Sequence, residues 1–168
     1  MQNEDALALS QQADIKLPYS QVNPYAFEPA IAPHLAAEQV GETISLTVIE
    51  SQFAAMRLQA DAVVVEGAGG WLVPLNDQQT IADLAKALKL PVVLVVAIKL
   101  GCINHALLTV QAIADSGLNL VGWVANDFLD DSQSTAIIQS LKQRITAPCL
   151  GIVPRLAQDE DASAYLTL

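Results

Sequence analysis

A carboxylate and three glycines follow an apolar run near the middle of the chain, and these residue types suit the binding of phosphates and a cation. The run Val63–Val65 leads into Glu66, Gly67, Ala68, Gly69 and Gly70. Glycine lets the backbone approach a ligand closely, and the exposed amides of such a turn suit phosphate oxygens. Glu66 would then hold the cation that accompanies them. The alternative is an ordinary strand-to-loop turn with a solvated acid.

Three further apolar runs also end in polar, glycine or proline residues. The runs 92–98, 120–125 and 150–153 are followed by Lys99-Leu100-Gly101-Cys102, Asn126-Asp127 and Pro154-Arg155-Leu156. Like 62–65, they are rich in Val, Ile or Leu without strict alternation, which is typical of strands buried on both faces. Ligands of open parallel sheets bind outside the carboxyl ends of the strands, so we expect a site at this edge.

Segments of helical character separate the apolar runs, at 80–90, 104–116 and 132–143. This alternation predicts right-handed crossovers, and hence an α/β fold with a parallel sheet of four strands and flanking helices. The first sixty residues differ, because the predicted helices 4–13 and 44–58 flank a stretch with four prolines, 17–33, in which no long regular element is expected. A length of 168 residues predicts one domain over 1–168.

Composition and charge exclude several kinds of partner. Hydrophobic residues make up 52% of the chain, but the longest apolar stretch, 90–98, is far shorter than the ~20 residues that cross a bilayer. The net charge of −10 argues against nucleic acid and anionic membranes, which repel an acidic surface. An anionic ligand would therefore need local amides, a lysine or a metal.

The two cysteines, Cys102 and Cys149, show no metal-binding or redox spacing. They are expected to be free buried thiols in a reducing compartment. No signal-peptide pattern opens the sequence, so the cytoplasm is the expected location.

Read together, the strand ends resemble the ATP-dependent dethiobiotin synthetase family, and the resemblance runs over essentially the whole chain. It is carried by Val65–Trp71, Lys99–Ala106, Gly122–Asp127, and by Asp5–Leu9 followed by Val22–Tyr25. The stretches KLGCINHA and GWVAND are far more specific than a lone glycine motif. The resemblance implies a P-loop NTPase-like α/β fold.

One departure from the family concerns its phosphate loop. The family begins with a strand and a Walker-type loop ending in Gly-Lys-Thr, followed by a second strand with a substrate lysine and a nearby serine. No Gly-Lys pair occurs in this sequence, so we expect the first strands, the phosphate loop and the catalytic lysine to be absent. In the family fold the phosphate-loop strand neighbours Val63–Glu66, whose backbone groups would be unpaired without it.

The resemblance implies an ATP-dependent ligase of biotin biosynthesis. In the family, CO2 carboxylates an amine of 7,8-diaminononanoate, ATP phosphorylates the carbamate, and the second amine closes the ureido ring of dethiobiotin. Mg²⁺ accompanies ATP, and Asp5 and Glu66 would be its carboxylate ligands. Carboxylate oxygen suits such a hard cation. From local sequence alone, Asp5 is instead a helix-terminal carboxylate favoured by the helix dipole.

Other residues take family roles by the same resemblance. The nucleotide would contact Asp5, Glu66, Gly67, Ala68, Gly69, Asn126, Asp127, Pro154, Arg155, Leu156 and Asp161. Asn126 would read the adenine edge, because an amide both donates and accepts hydrogen bonds, although asparagine is also common in strand-end turns. Pro154–Leu156 would cover the base, or simply pack in a turn.

The substrate's carboxylate tail would meet the free amides of Gly101, Cys102, Ile103 and Asn104, helped by the dipole of the following helix. Lys99 either attracts the same anion or is solvated at a strand end. The family's substrate site lies at a homodimer interface, so a homodimer is expected.

Two alternatives to the enzyme remain open. The first is a non-catalytic remnant of the same enzyme, keeping a dimer surface and weak ligand binding. The second is a relative with a deviant phosphate loop, such as the amidoligases of cobalamin synthesis or the partition ATPases. KLGCINHA is not expected in that second group, and this chain has no room for a glutaminase domain.

Overall fold

A computed structural model describes residues 2–128, 131–157 and 160–167. The chain divides into two units, Met1–Leu88 and Lys89–Leu168, each with its own internal contacts. The expectation of a single domain over 1–168 stays a prediction.

The first unit is helical. Its helices are α1 Glu4–Gln12, α2 Tyr19–Val22, α3 Pro33–Gln39, α4 Leu46–Arg57 and α5 Ile81–Leu88. Helices α1, α4 and α5 confirm the three predicted in this region. The stretch with four prolines holds only the four-residue α2, as expected, and Pro33 is the first residue of α3. Proline suits that position because its fixed φ matches a helix and its missing N–H would have no helical partner.

The strand expected over Ala62–Val65 is a wrong prediction. These residues form no strand, and Val64 is 82% exposed. β-branched residues fit a pleated, half-buried surface, but a strand exists only where a neighbouring strand takes its backbone hydrogen bonds. In the part of the chain that the structure describes, no strand pairs with this segment, and the sheet has three strands instead of four.

The second unit is a parallel α/β layer. It runs β1 Val92–Ala97, α6 Cys102–Asp115, β2 Leu120–Asn126, α7 Ser132–Arg144 and β3 Cys149–Val153, followed by a 3-10 turn, Ala162–Tyr165. The strands lie in the order β1-β2-β3 and pair in parallel. The α/β fold with a parallel sheet and flanking helices is therefore confirmed. Its core contains Ile98, Cys102, Trp123, Ile138 and Leu141.

Both cysteines are free thiols, as expected, but the expectation that both are buried is wrong for Cys149: Cys102 is buried, whereas Cys149, at the start of the outer strand β3, is only half-buried. Among residues 2–128, 131–157 and 160–167, no helix is long and apolar enough to cross a bilayer.

The side chain of Asp83 caps the start of α5, and its contribution to folding stability is expected to depend on pH. Asp83 Oδ2 accepts hydrogen bonds from the Thr80 N–H and hydroxyl, both at 2.8 Å, and Lys86 Nζ lies 3.1 Å from Oδ1. The Thr80 hydrogen bonds, followed by the Lys86 contact, hold the pKa of Asp83 below its ordinary value of 3.8. Because the folded pKa is lowered, this stabilisation is complete above 3.8 and is lost as the pH falls through the folded pKa.

Replacing Asp83 by Ala is expected to lower the free energy of unfolding at pH 7 by about 0.5–1 kcal/mol, the range for a lost cap at a solvent-screened site. Urea unfolding at pH 7 and at a pH well below 3.8 measures the effect, which should shrink at the lower pH. Asp61→Ala is the control, because Asp61 is exposed and makes no hydrogen bond in the described ranges. An equal loss at both pH values would contradict the prediction.

Candidate functional site

The carboxyl ends of β1, β2 and β3 lie side by side in the second unit. Asn126 pairs with Ala97 on one side and with Val153 on the other. The Ile98 N–H donates to the Asn126 carbonyl at 2.9 Å, and the Asp127 N–H donates to the Val153 carbonyl at 2.7 Å. The sheet register thus brings the residues that follow the three strands to one edge, as the sequence predicted.

The side chain of Asn126 is available to a ligand. Asn126 is half-buried, and within the described ranges its side-chain amide makes no hydrogen bond. The amide therefore offers two donors and one acceptor at the centre of the edge. Asp127 beside it is buried. This free amide is what the contact to an adenine edge requires.

The start of α6 presents free backbone donors next to Asn126. Gly101 has φ +90°, a left-handed conformation that favours glycine. The Cys102 N–H is already bonded to the Lys99 carbonyl at 3.0 Å, and the Cys102 side chain lies in the core. Among the residues that the structure describes, the N–H groups of Gly101, Ile103 and Asn104 have no acceptor. Three of the four predicted amides are therefore free to bind an anion.

The positively charged side chain in this region belongs to Lys99, just before these amides in the sequence. Lys99 is exposed and has no ion pair with any described residue. With Cys102, His105 and Thr109 it helps to line a cavity of about 150 Å³ between β1 and α6. Its positive charge and the positive end of the α6 dipole favour the same kind of ligand, a carboxylate or a phosphate.

The residues after β3 flank Asn126 on its other side. Pro154 and Leu156 are half-buried and Arg155 is exposed. Asp161 caps the 3-10 turn: its side chain accepts from the Ser163 hydroxyl at 2.6 Å and from the Ser163 N–H at 2.8 Å. These two hydrogen bonds lower the pKa of Asp161, so the carboxylate is ionised at neutral pH.

The two predicted metal ligands lie in the first unit. Asp5 is exposed in the first turn of α1, where Asn3 already caps the helix by accepting from the Ala6 N–H at 3.0 Å. Glu66 is also exposed, and neither carboxylate makes a hydrogen bond or ion pair in the described part of the chain. There, no group of three or more His, Cys, Asp or Glu is placed to hold a metal. Mg²⁺ commonly takes one or two carboxylates together with phosphates and water, and the assignment of Asp5 and Glu66 as its ligands stays a prediction.

The glycines after Glu66 have both packing and binding properties. A Cβ at Gly67 would lie 3.0 Å from Ile81 Cγ2, and one at Gly69 would lie 2.9 Å from Val73 Cγ2. Close packing against these side chains favours glycine at both positions, and the φ of +83° at Gly69 favours it further. Gly67, Ala68 and Gly69 are exposed residues whose N–H groups donate to no described residue, so the turn also offers the amides that a phosphate needs.

Two residues near the candidate site were missed by the sequence reasoning. Glu160 Oε2 accepts from the Ala157 N–H at 3.2 Å, and Glu160 Oε1 accepts from the Tyr165 hydroxyl at 2.5 Å. Glu160 lies outside the helices and strands, Tyr165 is the last residue of the 3-10 turn, and neither belongs to a periodic pattern in the sequence. Only the tertiary contacts reveal that they attach to the residues following Pro154.

Comparison with known proteins identifies relatives of this chain. A family described as an AAA domain matches residues 1–163. The "ATP-dependent dethiobiotin synthetase BioD" of Cellvibrio japonicus is 55% identical over 172 aligned residues, which cover all of this chain and 75% of that protein. The protein of the same name from Pseudomonas aeruginosa strain UCBPP-PA14 is 51% identical over 173 residues, with the same coverage.

A further relative is slightly less similar in sequence. The protein of that name from Yersinia pestis bv. Antiqua is 48% identical over 162 residues, covering 96% of this chain and 68% of that protein. The aligned region spans the whole chain in the first two relatives and therefore covers the strand ends of the second unit. The chain belongs to the ATP-dependent dethiobiotin synthetase family.

Proposed function

We propose that this chain carries the adenine-binding, metal-binding and substrate-tail residues of a dethiobiotin synthetase of biotin biosynthesis. The reaction is Mg-ATP-dependent carboxylation of 7,8-diaminononanoate by CO2, followed by closure of the ureido ring. The observation that supports it most is the edge at which a free Asn126 amide lies between the free amides of α6 and the residues after β3.

Adenine recognition is assigned to the central and outer strand ends. The Asn126 side chain would donate to N7 and accept from the N6 amino group of adenine, because a primary amide matches that edge. Pro154–Leu156 would cover one face of the ring with partly buried apolar surface. Asp127 and Asp161 complete the proposed nucleotide contacts.

Phosphate and metal binding are assigned to the first unit. The N–H groups of Gly67, Ala68 and Gly69 would donate to phosphate or carbamate oxygens. Asp5 and Glu66 would hold Mg²⁺, which neutralises phosphate charge when bound. Without the cation these carboxylates would repel ATP, so nucleotide binding should require a divalent ion.

The carboxylate tail of the substrate is assigned to the start of α6. The N–H groups of Gly101, Ile103 and Asn104 would donate to its oxygens, and Lys99 would add a positive charge. Cys102 would support this turn from the core, with its N–H holding the Lys99 carbonyl.

The assembly is proposed to be a cytoplasmic homodimer. Leu100 is 98% exposed and Leu108, on α6, is 62% exposed. Both lie near the proposed substrate-tail site, where a second copy would cover them. Free thiols fit a reducing compartment. The second candidate function is a non-catalytic remnant of the same enzyme. Product formation by this chain joined to the amino-terminal part of a relative separates the two.

The adenine assignment predicts that Asn126→Ala weakens ATP binding without weakening GTP binding. Loss of a two-point contact to adenine is worth about 1–3 kcal/mol, so the Kd for Mg-ATP should rise about 5- to 150-fold. Two-dimensional NMR titration of the wild-type and variant chains with each nucleotide measures it. Asn119→Ala is the matched control, since Asn119 is exposed just before the amino end of β2. Equal ATP affinity of Asn126→Ala and the wild type would contradict the assignment.

A further inference from the structure

We propose that residues 160–167, here called the C-terminal strap, position Pro154–Leu156 against the nucleotide base, with Gly151, Glu160 and Tyr165 as the positioning residues. This inference rests on the proposed function, because that function assigns the base to Pro154–Leu156. Three sets of contacts among described residues support it.

The first attachment is to β3. Leu166 forms an antiparallel bridge with Gly151, and the Thr167 N–H donates to the Leu150 carbonyl at 2.8 Å. Gly151 has no side chain to keep the strap away: a Cβ there would overlap the Tyr165 carbonyl oxygen and lie 2.9 Å from Leu166 Cδ2. The oxygen belongs to backbone, which cannot rotate aside. Glycine at 151 is therefore required for the strap to lie on β3.

The second attachment is to the residue that follows Leu156. The Ala157 N–H donates to Glu160 Oε2 at 3.2 Å, and the Glu160 N–H donates to the Ala157 carbonyl at 3.1 Å. This reciprocal pair holds the backbone at 157 against the start of the strap. Pro154 already restricts the backbone conformation at its own end of the segment.

The third contact joins the first two. The Tyr165 hydroxyl donates to Glu160 Oε1 at 2.5 Å. This hydrogen bond and the one from the Ala157 N–H lower the pKa of Glu160, and the same carboxylate raises the pKa of Tyr165. At neutral pH an ionised carboxylate thus links a hydroxyl on the β3-bound part of the strap to the backbone beside Leu156.

Covering the sheet edge does not by itself account for these contacts. β3 is the outer strand of the described sheet, and a strap along it protects exposed backbone groups. The bridge at Gly151 and the hydrogen bond at Leu150 suffice for that purpose. The Glu160 contacts add nothing to edge protection, but they do restrain Ala157, and this is the feature that indicates positioning.

The test compares amide hydrogen exchange in the wild type and in Tyr165→Phe, which keeps the ring and the β3 attachment but removes the hydroxyl. Exchange of the Ala157 N–H is expected to accelerate roughly 3- to 10-fold, the factor for one lost hydrogen bond of ordinary strength at an exposed site. Exchange of the Thr167 N–H should be unchanged. Tyr25→Phe, which removes a hydroxyl bonded to Ser45 in the first unit, is the matched control.

Gly151→Ala tests the other attachment. It is expected to accelerate exchange at both Thr167 and Ala157, because the whole strap leaves β3. Should this variant fail to fold, Tyr165→Phe still decides the question, since an exposed hydroxyl contributes little to folding. Unchanged Ala157 exchange in Tyr165→Phe would overturn the proposal.

A second readout separates positioning from local stiffening. The Kd for Mg-ATP, measured by the same NMR titration, should rise roughly 2- to 10-fold in Tyr165→Phe while the urea midpoint stays unchanged. Faster Ala157 exchange with an unaltered Kd would overturn the positioning role. Absence of ATP binding by the wild type would instead contradict the proposed function, and the exchange data would still test the contacts of the strap.

Discussion

The 168 residues by themselves are expected to form no detectable dethiobiotin from 7,8-diaminononanoate, CO2 and Mg-ATP. Phosphoryl transfer relies on positioning and on charge neutralisation of the β- and γ-phosphates, which a Walker-type loop and its lysine supply. No Gly-Lys pair occurs in this sequence. Since losing even one such electrostatic contact costs about 10²–10³ in rate, turnover should be at least about 10³-fold below that of the Cellvibrio japonicus relative. Mass spectrometry of the product measures it.

Joining the amino-terminal part of that relative to this chain is the positive control. About a quarter of the relative has no counterpart here, and its addition should restore product formation. In the joined protein, Glu66→Gln should again remove activity, because an amide is a much poorer Mg²⁺ ligand than a carboxylate. Product from the 168 residues alone would contradict the prediction. An inactive joined protein would favour the non-catalytic remnant.

The largest effect on stability is expected at Trp123. This side chain has no solvent exposure and lies at the centre of the second unit's core. Replacing it by Ala removes a large buried surface and leaves a cavity, which costs about 3–5 kcal/mol. Since domains are stable by only about 5–15 kcal/mol, the urea midpoint of this unit should fall sharply. Circular dichroism during urea unfolding measures it.

Two further variants make the Trp123 result specific. Leu58→Ala shortens an apolar residue that is 88% exposed directly after α4, and it should change stability by less than about 0.5 kcal/mol. Trp123→Phe should cost clearly less than Trp123→Ala, because the ring fills most of the space. It also removes a buried Nε1–H that has no partner among the described residues, an unfavourable group in the native state. If Trp123→Phe lowered the free energy of unfolding as much as Trp123→Ala does, this account of the packing would be contradicted.

Much of the fold could be predicted because hydrophobic periodicity is local. The apolar runs at 92–98, 120–125 and 150–153 became β1, β2 and β3, and the intervening segments became α6 and α7. The failed strand at Ala62–Val65 has an equally apolar sequence. What it lacks is a neighbour, and pairing depends on residues distant in sequence. Local pattern therefore predicts which segments prefer to be strands, whereas the tertiary structure decides which of them pair.

The candidate site, too, was predicted partly from local sequence and decided partly by the folded structure. Residue types after the apolar runs predicted that Lys99, Asn126 and Pro154 share one edge, because parallel strands end at a common edge. The strand order, which puts Asn126 on the central strand, came only from the structure. Which of those groups are free to bind was decided only by the folded conformation: the Cys102 N–H is taken by the Lys99 carbonyl in a local turn, whereas the Asn126 amide has no partner in the described ranges.

The sequence by itself determined the family, the helices and the order of the binding residues, since these depend on residue types at short spacing. The tertiary structure decided the three-stranded sheet, the burial of Trp123 and the attachment of the C-terminal strap at Gly151 and Glu160. The sheet, the burial of Trp123 and the bridge at Gly151 depend on atoms brought together from separate parts of the chain. The Glu160 contacts to Ala157 and Tyr165 are short-range hydrogen bonds in a segment without a periodic pattern. In both cases the linear sequence carries no local signal.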